Sequence, residues 1–124
     1  MDDSKIREVI QTYFDASFEG SAEKMDRVFH GAAHIYGIDK AGALNDMPRD
    51  HFVKMVGAHR TEGQAPAFPR QDEILSVDFT GEFTAVARVK LRVGKTLFTD
   101  MLCFMYLEGR WGVIAKVFSG VAVE

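Results

Sequence analysis

The chain has 124 residues, enough for one domain with a sizeable core. Its 47% hydrophobic and 27% charged residues are those of a folded globular protein and exclude a disordered chain. The net charge of −3, with acids and bases interspersed, argues against nucleic acid as the main partner, because phosphate binding needs a basic face.

The first segment predicts a helix. Ile6, Val9, Ile10, Tyr13 and Phe14 recur at helical spacing and form one apolar stripe, with Asp3 or Ser4 as N-cap and Gly20 as the stop. Ser21 can cap a second, shorter helix that carries Met25, Val28 and Phe29 and ends at Gly31. "AHIYGI" then predicts a short strand with His34 and Tyr36 on one face and Ile35 on the other. A turn at Gly42 leads to a very short strand. Pro48 suits the first position of a third helix, on which Phe52, Met55, Val56 and His59 share a face and which Gly63 closes. "TEGQAPAFPRQ" is a loop.

The second half reads as strands. "EILSVDF", "TAVARVKLRV" and the two arms of "FTDMLCFMYLEGRWGVIAKVF" are joined by short turns at Thr80-Gly81-Glu82, Gly94-Lys95 and Glu108-Gly109, the pattern of an antiparallel meander. Helices toward one end of the chain and strands toward the other predict an α+β domain spanning residues 1–124. Small residues such as Ala85 and Ala87 would leave room for helices on the inner face of the sheet.

A two-residue turn at Glu108-Gly109 sets the register of the last hairpin. Tyr106 then lies opposite Trp111, and Asp100 opposite Val117. The more aromatic face, with Phe98, Asp100, Leu102, Phe104, Tyr106, Trp111, Val113, Ala115 and Val117, is assigned to the interior. Lys116 would point outward and could not pair with Asp100 unless a bulge shifts the register.

This hairpin resembles that of the putative lumazine-binding family, within the nuclear transport factor 2-like (SnoaL-like) superfamily. The resemblance rests on Phe98 and Asp100 at the entry, Gly109 in the turn, Trp111, and Lys116 and Phe118 at the exit. "YFDASFEGSAEKMDRVFHGAAHIYG" and "FPRQDEILSVDFTGEFTAVARV" are similar to upstream parts of the family, except that Gly31 stands where members often have proline. The resemblance implies a cone of three N-terminal helices packed on a curved antiparallel sheet. It also implies a pocket between the two layers and commonly a homodimer through the sheet. It does not imply one chemistry, since the superfamily holds both enzymes and non-catalytic binding proteins.

Asp100 is the residue that most needs explaining, because a carboxylate inside an apolar hairpin is costly without a partner. It is either a proton-transfer group in an apolar pocket or a structural acid bonded to backbone amides, to a basic side chain or to Tyr13. Tyr13, mid-stripe on the first helix, is either its catalytic companion or a core tyrosine. His34, Tyr36, Phe29, Phe52, Met55, Val56, Phe104, Tyr106 and Trp111 are candidate ligand contacts, with an ordinary aromatic core as the alternative.

No metal is expected. His30 and His34 would be roughly 13 Å apart along a strand, and His51 and His59 about 12 Å apart along a helix. No metal motif or cofactor loop is present. Arg88, Lys90 and Arg92 form a basic row expected on the outer face, and Cys103 lacks the basic neighbours of a nucleophile.

The single cysteine permits no internal disulfide, the start "MDDSKIREVI" lacks the apolar region of a signal peptide, and the longest apolar run, "MLCFMYL", is far too short to span a membrane. A cytoplasmic protein is expected, with no membrane contact. The function expected first is binding of a small hydrophobic or aromatic molecule without a cofactor. The alternatives are a cofactor-free lyase or isomerase using Asp100 with Tyr13 or His34 for proton transfer, and a dimeric protein-interaction domain.

Overall fold

A computed structural model describes residues 2–58 and 66–123. Its elements are α1 (Ser4–Glu19), α2 (Ala22–Asp26), β1 (Phe29–Ile38), β2 (Leu44–Pro48), α3 (Arg49–Ala58), β3 (Asp72–Phe79), β4 (Thr84–Val93), β5 (Thr96–Leu107) and β6 (Arg110–Ala122). The roles expected of His59 and Gly63 in the third helix lie outside the described residues.

The six strands form one curved sheet in the order β2-β1-β6-β5-β4-β3. β3 through β6 are the expected antiparallel meander. Two expectations are corrected. β1 pairs with β6 in parallel, so the sheet is mixed. The helices are not all N-terminal, because α3 follows the β1–β2 hairpin.

The local chemistry explains the boundaries. α1 buries Ile6, Ile10, Tyr13, Phe14 and Ala16 and ends at Gly20, whose φ of 67° is the left-handed cap conformation. Ser21 caps α2 by accepting a hydrogen bond from the Lys24 amide. α2 is shorter than expected. It ends at Asp26, and Val28 and Phe29, assigned to it by their spacing, lead into β1 instead. Pro48 closes β2 and stands just before α3 rather than inside it. In the last hairpin Glu108 and Gly109 both take positive φ, 54° and 79°, as a two-residue turn that follows the twist of its strands requires.

The core lies between the helices and the concave face. Ala85, Ala87, Val89 and Leu91 of β4 face inward as a row, with Leu102 and Phe104 of β5 and Val113 of β6 beside them. The two alanines let α1 approach the sheet, while Arg88 and Lys90, at the alternate positions, are exposed.

The decisive irregularity is in β6. Cys103 pairs with Ala115, but Phe104 pairs with Val113, so β6 carries one extra residue at Ile114. Near the turn the register is as the sequence reading has it, with Tyr106 opposite Trp111. Beyond the bulge it is shifted by one, and Asp100 faces Phe118 rather than Val117. A one-residue shift exchanges the two faces of a strand. Ala115 and Val117 are therefore not on the core face assigned to them: Val117 is exposed, and Lys116 and Phe118 turn inward.

Phe118 needs space once it is inside, and Gly37 of β1 provides it. A Cβ at residue 37 would lie 2.7 Å from Phe118 Cε1 and closer still to the tip of the ring. Gly37→Ala is expected to destabilise the protein by about 1–3 kcal/mol through overpacking. Urea unfolding measures this, and an unchanged midpoint would mean that Phe118 is not wedged there.

Candidate functional site

A cavity of about 230 Å³ lies between the concave face and the helices. α1 contributes Tyr13, Ser17 and Phe18 to it, α3 contributes Phe52, Met55 and Val56, and the sheet contributes Ile35, Leu91, Phe98, Lys116 and Phe118. The wall is almost entirely apolar. Lys116 is its one charged side chain among the described residues.

Three polar side chains from three elements meet at this wall. Lys116 Nζ, on β6, donates to the Tyr13 hydroxyl on α1 at 2.7 Å. The Tyr13 hydroxyl donates in turn to Asp100 Oδ2 on β5. Lys116 Nζ and Asp100 Oδ2 are 3.8 Å apart, an ion pair relayed by the tyrosine rather than a direct hydrogen bond. Asp100 and Tyr13 are 0% and 1% exposed, and Lys116 only 6%, so all three interact with little screening by water. The ammonium also lies 4.3 Å from the ring centroid of Phe52 and 5.0 Å from that of Tyr13, distances at which aromatic faces attract a cation.

These surroundings move the titrations in opposite directions. Burial lowers the Lys116 pKa below its usual 10.5, against the opposing pull of the Asp100 charge. Burial, with the Asp100 carboxylate beside it, pushes the Tyr13 hydroxyl well above its usual 10.0. Tyr13 therefore remains protonated and links cation to anion. Asp100 Oδ1 has no hydrogen-bond partner among the described residues.

The candidate residues are distributed unevenly over the molecule. Tyr13 and Asp100 come together, but only Tyr13 lines the cavity, and Asp100 sits behind it. Phe52, Met55 and Val56 face the cavity. Phe29 and Phe104 do not line it. Both are buried in the core at 1% exposure, where Phe29 packs edge-on against Phe52.

His34 and Tyr36 do not line it either. They stack on each other on the opposite face of β1, and His34 Nδ1 is 2.7 Å from Asp46 Oδ1. Alternation in β1 sends Ile35 inward and these two outward. Tyr106 and Trp111 lie at the far end of the sheet, in a separate groove with Arg27 and Arg110.

His30 is buried with Nε2 2.9 Å from the Met105 carbonyl oxygen, a structural contact. Among the described residues no group of three or more His, Cys, Asp or Glu is placed to hold a metal ion. Cys103 is half-buried, and burial raises its thiol pKa, the reverse of nucleophile activation. No helix among the described residues is long and apolar enough to cross a membrane.

Sequence reasoning missed Lys116 and Phe118 as site residues because the bulge at Ile114 reverses their direction. The available signal was Asp100 itself, a carboxylate on an apolar face that calls for a buried cation.

Helices laid in the concave face of a curved mixed sheet, with a cavity between them, define an α+β fold of the nuclear transport factor 2-like class. A nuclear transport factor 2-like protein of unknown function from Methylobacillus flagellatus superposes with a TM-score of 0.78 at 29% identity, covering 95% of this chain and 90% of its own. One from Silicibacter pomeroyi gives 0.81 at 24% identity, covering 95% and 94%. A ketosteroid isomerase-like protein from Erwinia carotovora atroseptica gives 0.72 at 13% identity, covering 96% and 95%, a likeness of fold alone. None of the curated proteins matches the chain. The family model described as putative lumazine-binding matches residues 1–119, and the chain belongs to that family.

The coupling within the polar cluster is measurable. Lys116→Met leaves the Asp100 carboxylate buried without its cation and is expected to cost about 3–5 kcal/mol, as is Asp100→Leu for the opposite reason. The double variant is expected to be more stable than either single variant, because it removes both charges together. Urea unfolding of the four proteins gives the cycle, and costs that merely add would mean that the two charges are not coupled.

Proposed function

We propose that the chain binds a small, flat, mostly apolar molecule in the cavity, with the Lys116 ammonium as the polar anchor for an acceptor oxygen. The observation that carries this reading is a buried cation that, among the described residues, is the one charged side chain on a mostly apolar wall. Such a wall recognises shape and burial, and one charged donor orients the ligand. The family description points the same way, since a lumazine-like ring is flat and carries carbonyl oxygens. Phe52, Met55 and Val56 are the helical contacts in this reading, with Tyr13 and Lys116 at the polar end.

Differential scanning fluorimetry against flat heteroaromatic, steroid-like and polyketide-like compounds tests it. A class of compounds should raise the melting temperature of the wild type by mass action. Lys116→Met should bind the same compounds about tenfold or more weakly through loss of one charged hydrogen bond. Met55→Trp, which fills the cavity, should not bind them. Stabilisation that survives Met55→Trp would place the ligand elsewhere.

A second reading is a cofactor-free lyase or isomerase. The continuous hydrogen-bonded path from Lys116 through Tyr13 to Asp100 favours it, since two groups able to move a proton reach one ligand position. Lys116 and Tyr13 would meet the substrate, and Asp100 would hold the proton behind them. Deuterium uptake from heavy water at carbons of the bound compounds separates this reading from simple binding, and its absence for every binder would sink it.

We further propose a homodimer through the convex face. Met101 and Val117, paired across β5 and β6, are each 45% exposed there, and Met105 lies further along the same face of β5. Sedimentation should find a dimer for the wild type and a monomer for Met101→Glu, and a monomeric wild type would overturn the proposal.

A further inference from the structure

Lys116 has the surroundings of an amine that reacts with carbonyl compounds. Its nitrogen lies on the cavity wall, nearly stripped of water, donating to the Tyr13 hydroxyl at 2.7 Å, with the Asp100 carboxylate behind that hydroxyl. Among the described residues, the others lining the cavity carry no ionisable group except the Tyr13 hydroxyl. We propose that Lys116 captures an aromatic or α,β-unsaturated aldehyde or ketone as a covalent iminium, with Tyr13 and Asp100 carrying the protons. The proposal rests on the binding reading above and names the ligand class for the same cavity.

The step balances within the site. Lys116 gives one proton to the Tyr13 oxygen while Tyr13 passes its own proton to Asp100. The freed lone pair on Nζ attacks the carbonyl carbon, a C–N bond forms, and the carbonyl π pair moves to oxygen. A proton then passes from nitrogen to that oxygen, giving the carbinolamine. The relay returns its proton to the hydroxyl, the C–O bond breaks, water leaves, and the nitrogen lone pair closes the iminium. Ammonium plus carbonyl thus becomes iminium plus water, with no change of charge.

Charge conservation is what suits this site to the product. The iminium inherits the carboxylate of Asp100 and the aromatic faces of Phe52 and Tyr13 that held the ammonium. Burial shifts the Lys116 pKa downward from its usual 10.5, a direction that favours the neutral amine the attack requires. An apolar cavity also keeps water away from the iminium once it has formed.

The test treats the protein at neutral pH with 2-naphthaldehyde and sodium cyanoborohydride, which reduces an iminium to a stable amine, and follows the adduct by intact mass and peptide mapping. In parallel, melting temperature is measured with 2-naphthalenemethanol, which has the same rings but no carbonyl. The expected result is one adduct, at Lys116, formed about ten times faster than at exposed Lys5. Lys116→Arg, which keeps a cation beside Asp100, should give no cavity adduct, and adduct formation in it at the wild-type rate would overturn the assignment to Lys116.

If the alcohol binds but labelling is absent or spread over surface lysines, the capture proposal is overturned and the binding reading stands. If neither compound binds and Lys116 is unlabelled, both fall. An equal labelling rate in Tyr13→Phe would overturn the relay.

Discussion

A lysine amine that is almost wholly buried against aromatic rings needs an anion within reach, and a fully buried carboxylate needs a cation. Lys116 and Asp100 meet these needs for each other through the hydroxyl of Tyr13. The three groups come from α1, β5 and β6, so the cluster forms only when the first helix is seated in the sheet and the last hairpin is in its native register. The polar cluster is therefore also a check on the fold. A β6 register displaced by one residue would strand Asp100 in the core and Lys116 in water.

The bulge at Ile114 makes this register possible. It leaves the turn-proximal half of the hairpin as the two-residue turn dictates and reverses the faces of the distal half. That reversal brings the Lys116 ammonium and the Phe118 ring to the cavity, and Gly37 in the neighbouring strand clears the volume that the ring occupies. Cavity, anchor and register are thus one arrangement. A cation at the edge of an apolar cavity, with its carboxylate partner behind the wall, is the arrangement from which the binding proposal follows.

The sequence was most legible where one period ran unbroken. The stripe on α1 identified Tyr13 as buried, and the alternation in β4 separated the Ala85–Leu91 row from the basic row. Turn chemistry located the hairpins closely, since Gly94-Lys95 and Glu108-Gly109 lie between strands as expected. Legibility failed where the period breaks. β1 begins directly after a short α2, so helical spacing misassigned Val28 and Phe29. The parallel contact of β1 with β6 joins residues far apart in the chain and leaves no local signal. The candidate site was half visible: Asp100 announced a buried charge, but the bulge hid its partner. His34 and Tyr36 share a face as expected, yet nothing local says that this face is the outer one.

The most direct test of this account is NMR of the protein labelled with 15N-lysine, observing the side-chain ammonium groups. An ammonium held by Tyr13 and buried with Asp100 should give a resolved Lys116 signal protected from exchange with water, and Asp100→Asn should weaken or abolish that protection. A Lys116 ammonium that exchanges as fast as that of exposed Lys5 in the wild type would contradict the inward register of β6 and the site built on it.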